Sequence, residues 1–293
     1  MYKKRSLVKF KGVIKREEVI APYLTIKAGG KVNWFSIPSN IEDLVSIIDF
    51  IREIGCKWFV LGNGSKILIP DEGFDGAVIY TGILRNFSLE EDRINLESGY
   101  PLGSAIKLAV TNNLSGIEAL IGIPATIGGA VVMNAGTGYG CIGDVVESVE
   151  VINENGEYTI IRNPSFNYRG SELKGGNTII TRVSLKLKRT PLEEIREKLN
   201  WATSLRKEQP QFPRQFGSMF KNPPGVAAGR LIEETGFKGF SYNKVQISPI
   251  HANFLLNFGV SANDIYYVIK LIQEKVYKQF NIILEPEVNI IGF

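Results

Sequence analysis

The chain has 293 residues, 44% hydrophobic and 22% charged, with a formal net charge of +4 and a pI near 8.9. This composition excludes a disordered or fibrous protein and supplies enough apolar material for a sizeable core in two or three lobes. Two cysteines, Cys56 and Cys141, and one histidine, His251, are too few for a disulfide framework or a metal site, and the mild basicity suits a small anionic substrate, not nucleic acid.

Lys3, Lys4, Arg5, Lys9 and Lys11 read as a solvated basic terminus without the apolar core of a signal peptide, so a cytoplasmic protein is expected. The first predicted element is a helix from about Ser39 to Ile54. Ser39 with Glu42 makes a capping box, Ile41, Leu44, Val45, Ile48 and Ile51 form the buried stripe, and Gly55 stops the helix. A strand from Trp58 to Leu61 follows, then the turn Gly62-Asn63-Gly64-Ser65-Lys66, then a strand from Ile67 to Ile69. Two glycines in such a turn let successive N–H groups point into one concavity, which suits an anion. It lacks the third glycine of a dinucleotide fingerprint and the lysine spacing of a P-loop, and by itself it equally describes a plain tight turn.

From Ala119 to Gly143 there is no charged residue. Gly122, Pro124, Gly128, Gly129, Asn134 and Gly136 make this a poor bilayer helix, so no membrane partner is expected. The run Gly122-Ile123-Pro124-Ala125-Thr126-Ile127-Gly128-Gly129, continuing to Asn134 and Gly136, reads as backbone that a flat ligand approaches closely, or else as a tightly packed loop. A hairpin is predicted over Val145–Ile152 and Glu157–Ile161, turning at Asn155-Gly156. Tyr168-Arg169 follows, where a guanidinium fork can grip a carboxylate. A further strand runs from Thr178 to Leu187.

Thr190 is expected to cap a helix reaching about Leu205, and helices over Val226–Thr235 and Asp264–Gln279 alternate with strands over Phe254–Asn257 and Leu284–Ile291. Gly217-Ser218-Met219-Phe220-Lys221-Asn222-Pro223-Pro224-Gly225 offers a hydroxyl, an ammonium and a carboxamide on a rigid loop. Glu285-Pro286-Glu287 sits in an apolar strand, where an inward carboxyl would make an acid. His251 reads as a core histidine. The whole is an α+β chain, with boundaries expected after residues 82 and 190: lobes 1–82, 83–190 and 191–293.

Taken in order, the segments from Gly62 to Gly76, Gly116 to Gly136, Phe166 to Ser171, Gln209 to Gly225, His251 to Asn257 and Leu284 to Gly292 resemble the UDP-N-acetylenolpyruvoylglucosamine reductase family. The resemblance spans nearly the whole chain, and Gly217–Gly225 is its most specific piece. The short interval between Arg169 and Gln209 resembles the second family type, which lacks a substrate-covering tyrosine loop. The resemblance implies a two-lobed FAD-binding domain of the vanillyl-alcohol-oxidase/PCMH type and a C-terminal α/β lobe for substrate. It also implies a reaction in two halves, in which NADPH reduces FAD and the reduced flavin then reduces UDP-N-acetylglucosamine enolpyruvate to UDP-N-acetylmuramate, with NADPH as co-substrate and a monomer as the working state. By the same resemblance, Arg169, Ser218 and Glu287 are catalytic, with Ser218 the proton donor at C2. Gly62, Asn63, Gly64, Ser65, Lys66, Gly122, Ile123, Pro124, Thr126, Gly128, Gly129, Asn134 and Gly136 hold FAD. Tyr168, Arg206, Lys221 and Asn222 hold the nucleotide-sugar.

The chain departs from the family pattern at three places: Asn63 and Lys66 in the first turn, Ala125 where glycine is common, and Asn289 where an arginine usually follows Glu-Val. Two other readings stay open: a flavin oxidase with covalently attached flavin, for which Cys141 is the candidate thiol, and a nucleotide-sugar-binding regulator without turnover.

Overall fold

The computed structural model describes residues 11–175 and 177–293, so Lys3 to Lys9 of the basic cluster lie outside it. Contacts group the chain into two units that interleave in sequence. Among the described residues, the first holds 11–16, Trp34–Asn63 and Gly76–Ser204; the second holds Glu17–Asn33, Gly64–Asp75 and Leu205–Phe293. The expected boundaries after residues 82 and 190 both fall inside the first unit.

In the first unit, helix α1 (Ile41–Ile54) carries the expected stripe, with Ile47 added to Ile41, Leu44, Ile48 and Ile51, and Val45 only half-buried. Its cap is shifted by one residue. Asn40, not Ser39, takes the extended N-cap conformation and accepts from the Asp43 N–H at 2.9 Å, while Asp43 accepts from the Ser39 N–H at 2.8 Å. Gly55 closes the helix at φ 64°. The strand Trp58–Leu61 then pairs in parallel with Phe74–Tyr80, Leu61 lying opposite Tyr80.

The other main layer of this unit is a five-stranded antiparallel sheet in the order Tyr158–Arg162, Val146–Asn153, Thr178–Lys186, Arg93–Glu97, Phe87–Glu90. Its hairpin turns at Asn155-Gly156 as predicted, because the Asn153 carboxamide oxygen accepts from the N–H groups of Asn155 and Glu157, both at 2.9 Å. Helices α2 (Leu102–Thr111) and α3 (Ile127–Val132) pack on this sheet through Leu102, Ile106, Ile127 and Val131. The uncharged segment is thus broken into a short turn of helix, α3 and small strands, and among the described residues no helix is long and apolar enough to cross a membrane. Helix α4 (Leu192–Lys207) follows, but the Thr190 hydroxyl donates to the Lys188 carbonyl at 3.2 Å instead of capping it.

The second unit carries helices α5 (Ala228–Glu234) and α6 (Ala262–Phe280) and a three-stranded antiparallel sheet, Ser241–Tyr242, Val245–Ile247, Leu255–Asn257. The strand expected over 284–291 shortens to Asn289–Ile290, which pairs in parallel with Ile67–Leu68. The reason is Pro286, which has no N–H to extend a ladder and makes only an isolated bridge to Phe220.

Candidate active site

In the first unit, the start of the Gly62 turn is tied to the second glycine segment. The Asn63 side-chain N–H donates to the Pro124 carbonyl at 2.9 Å. Thr126 caps α3, its hydroxyl accepting from the Gly129 N–H at 3.3 Å. The adjacent glycines 128 and 129 answer different demands. A Cβ at Gly128 would lie 2.8 Å from Ser98 Cβ, so its smallness serves the protein's own packing. A Cβ at Gly129 would meet nothing nearer than the Thr126 hydroxyl at 3.4 Å, and the residue is exposed, which leaves open backbone at the start of α3 for a ligand. Gly122 (φ 78°) makes the turn before half-buried Ile123, and Gly136 pairs with Cys141 in a two-residue ladder. Ser98, which no sequence signal singled out, buries a hydroxyl beside Gly128 with no hydrogen-bond partner.

Arg169 occupies the turn of a tight hairpin, Phe166–Asn167 against Gly170–Ser171, at φ 58°. Its guanidinium stacks over the exposed Tyr168 ring, 5.2 Å from the centroid. Two side-chain bonds brace the hairpin: Asn134 donates to the Asn167 carbonyl at 2.9 Å, and the Ser171 hydroxyl donates to the Val132 carbonyl at 3.1 Å. Asn134 also accepts from the Gly143 N–H at 3.1 Å, so both ends of its buried carboxamide are engaged within the protein.

In the second unit, Gly64 is buried at φ 64°, and a Cβ there would lie 2.4 Å from the Tyr23 carbonyl. Among the described residues, the backbone N–H groups of Gly62 and Asn63 in the first unit and of Gly64 and Ser65 in the second donate to no protein acceptor. Within each unit, such a pair of successive unengaged amides suits an anion. Lys66 goes elsewhere. Its ammonium ion-pairs with Glu287 at 2.9 Å and donates to the Ser218 carbonyl at 2.6 Å.

The Ser218 loop is fixed by pairing on both sides. The Met219 N–H donates to the Asn253 carbonyl at 2.8 Å, and the Asn253 carboxamide both accepts from the Phe220 N–H at 3.0 Å and donates to the Phe220 carbonyl at 2.9 Å. On the other side, the Glu287 N–H donates to the Met219 carbonyl at 2.7 Å and the Lys221 N–H to the Glu285 carbonyl at 2.9 Å. Glu287 is therefore brought to within one residue of Ser218 in the paired backbone, and it is 8% exposed. Among the described residues no protein group hydrogen-bonds the Ser218 hydroxyl.

Lys221 ion-pairs with Glu285 at 2.5 Å, the Asn222 carboxamide accepts from the Ala228 N–H at 3.0 Å, and Arg206, near the end of α4, donates to Gln209 at 2.9 Å. Asn253 was missed by sequence reasoning, which weighed only its neighbour His251. His251, expected in the core, is exposed as a whole; partial desolvation of its ring pushes the imidazole below its ordinary range, and its Nδ1 accepts from the Asn253 N–H at 3.2 Å.

Burial first, then its hydrogen bond to Asp144 (Sγ to Oδ1, 3.2 Å), push the Cys141 thiol above its ordinary range, which lowers its thiolate fraction. Covalent flavin attachment through it is disfavoured.

Comparison with known proteins matches the arrangement. Residues 33–162 fit the model of an FAD binding domain, and residues 209–291 fit that of the UDP-N-acetylenolpyruvoylglucosamine reductase C-terminal domain. The chain is 40% identical to a UDP-N-acetylenolpyruvoylglucosamine reductase of Synechococcus sp. (strain JA-3-3Ab), over 98% of this chain and 94% of that one. It is 38% identical to the protein of that name from Caldicellulosiruptor saccharolyticus, over 98% and 95%. Among solved structures, the Thermus caldophilus UDP-N-acetylenolpyruvylglucosamine reductase superposes with a TM-score of 0.83 at 35% identity, covering 95% of this chain and 99% of that one. A glucose dehydrogenase, Phl p 4.0202, shares the fold alone, with a TM-score of 0.50 at 15% identity over 61% of this chain and 42% of that one.

Proposed function

The chain belongs to the UDP-N-acetylenolpyruvoylglucosamine reductase family of FAD-dependent oxidoreductases, and we propose that it uses NADPH to reduce UDP-N-acetylglucosamine enolpyruvate to UDP-N-acetylmuramate, a precursor of peptidoglycan. Bound FAD supplies the hydride chemistry, and the protein supplies binding, orientation and proton control. The unengaged amides of Gly62 to Ser65 and the open backbone at Gly129 would hold the cofactor's phosphates and permit its close approach.

The observation that carries the reading is the pairing of the Ser218 loop with the Glu287 strand. It puts an unengaged hydroxyl and a buried carboxylate on adjoining backbone, held by the Glu287 N–H on the Met219 carbonyl at 2.7 Å. Reduction of an enolpyruvyl double bond develops negative charge toward the carboxylate and then needs a proton at C2. The Ser218 hydroxyl would donate that proton. Arg169 would grip the substrate carboxylate with its fork, and Glu287 would orient the reacting end. Tyr168, Arg206, Lys221 and Asn222 would hold the nucleotide-sugar.

The test is direct. Purified protein should carry flavin absorbance that NADPH bleaches under anaerobic conditions and that the enolpyruvyl substrate restores. Flavin that NADPH bleaches but the substrate leaves reduced would overturn the substrate assignment.

A further inference from the structure

The ammonium of Lys66 sits where three chain segments meet. Its own backbone carbonyl accepts from the Asn289 N–H at 2.8 Å, at the start of the parallel pairing of Ile67–Leu68 with Asn289–Ile290. Its side chain reaches the Ser218 carbonyl at 2.6 Å and Glu287 Oε1 at 2.9 Å. The pair is well shielded, with side-chain exposures of 20% for Lys66 and 10% for Glu287. A lysine in a glycine-rich turn would ordinarily be assigned to the anion in that turn. Here the ammonium is committed to the backbone of one catalytic residue and the carboxylate of another.

We propose that Lys66 is a positioning residue: it locks the Ser218 carbonyl and the Glu287 carboxylate into one frame, and so sets the proton donor against the reacting end of the substrate. The inference rests on the reading of the chain as a reductase of the enolpyruvyl substrate. The backbone pairings already bring loop and strand together, but they leave the Glu287 side chain and the tilt of the peptide after Ser218 free. A point charge bonded to the Ser218 carbonyl and the Glu287 carboxylate restrains both, and a shift of about 1 Å in a catalytic group can cost on the order of 100-fold in rate. Without the ammonium, Glu287 would be a shielded carboxylate without its cation, and it would turn toward other donors. Flavin binding is not expected to depend on this side chain, since the amides of Gly62 to Ser65 remain.

The experiment compares Lys66→Met and Lys66→Gln with wild type by anaerobic stopped flow, alongside flavin content and thermal melting. Lys66→Gln keeps a donor for the Ser218 carbonyl without the charge, and it is the fallback should the methionine variant not fold. Both variants should retain flavin and be reoxidised by the enolpyruvyl substrate at least about 10-fold more slowly, whereas Lys66→Arg, which can bond carboxylate and carbonyl together, should recover most of the rate. Loss of flavin from folded Lys66→Gln would return the side chain to the cofactor and overturn the proposal. So would reoxidation at the wild-type rate, which would mean the ion pair serves stability only. Wild-type enzyme is the control for the underlying reading: if its reduced flavin is not reoxidised by the substrate, the function assigned above fails, independently of Lys66.

Discussion

Asn134 donates to the backbone carbonyl of Asn167 at 2.9 Å, and through that bond the second glycine segment holds the hairpin that presents Arg169. The same side chain receives the Gly143 N–H, so one buried amide links three backbone segments of the first unit. Its own φ of 42° is one that asparagine tolerates and most residues do not.

Asn134→Ala should therefore cost about 1–3 kcal/mol of stability, the usual penalty for leaving buried backbone groups without partners. It should also raise KM for the enolpyruvyl substrate, since Arg169 loses its brace. Urea denaturation and steady-state kinetics check the two parts separately. An unchanged KM in the destabilised variant would mean that the Ser171 bond to Val132 suffices to hold the hairpin.

Gly129 and Gly128 give a matched pair. Gly129→Val brings a Cβ only into ordinary contact with the Thr126 hydroxyl at 3.4 Å, so the protein should fold with near-normal melting while losing most of its flavin. Gly128→Val collides with Ser98 at 2.8 Å and should be strongly destabilised whether or not cofactor is present. Flavin released by acid from each folded variant measures the difference. Full occupancy in Gly129→Val would move the ligand away from α3.

Ser218→Ala separates the half-reactions. Flavin reduction by NADPH needs no proton at substrate C2 and should proceed nearly as in wild type. Reoxidation by substrate should slow by about 100-fold or more, the usual cost of a missing positioned acid. Ser218→Cys should restore part of the rate, because a thiol also donates. Equal slowing of both halves would make Ser218 a flavin-positioning residue, and slowing of neither would pass the proton to Glu287.

His251 predicts a pH effect on stability. Its ring lies against Gly229 and Phe254, and desolvation of that covered side holds its folded pKa below the ordinary value of 6.5, although the residue as a whole is exposed. As pH falls through about 6.5, the unfolded chain takes up the proton first. Stability is therefore lost from that point down to the folded pKa, and no further from this group below it. Melting temperatures between about pH 7.5 and 5 should fall less steeply in His251→Gln than in wild type. Identical slopes would show that the imidazole is solvated in both states.

Much of this was legible in the chain. The stripe of α1 with Gly55 behind it and the Asn155-Gly156 hairpin are local patterns, and local patterns survive into the fold. The order of glycine turns, Arg169, the Ser218 loop and Glu287 was legible as well. What could not be read depends on partners far apart in sequence. Lys66 looks like an anion ligand until the Ser218 carbonyl, 152 residues away, is found on its ammonium. Asn253 carries no chemistry of its own, and its clamp on Phe220 exists only once residues 33 apart are paired. Glycine was ambiguous for a physical reason: an absent side chain reads the same whether a ligand fills the space, as proposed at Gly129, or a neighbour such as Ser98 does at Gly128.

Pro286 separates two carboxylates that salt will treat differently. Glu285 holds Lys221 at 2.5 Å with its side chain 67% exposed, while Glu287 holds Lys66 with its side chain 10% exposed. With a screening length of about 8 Å at physiological ionic strength, the outer pair loosens as electrolyte is added and the inner one barely responds. Potassium chloride thus acts as a selective reagent here: it loosens Glu285 from Lys221, the residue proposed to hold the nucleotide-sugar, and it leaves the frame around Glu287 in place.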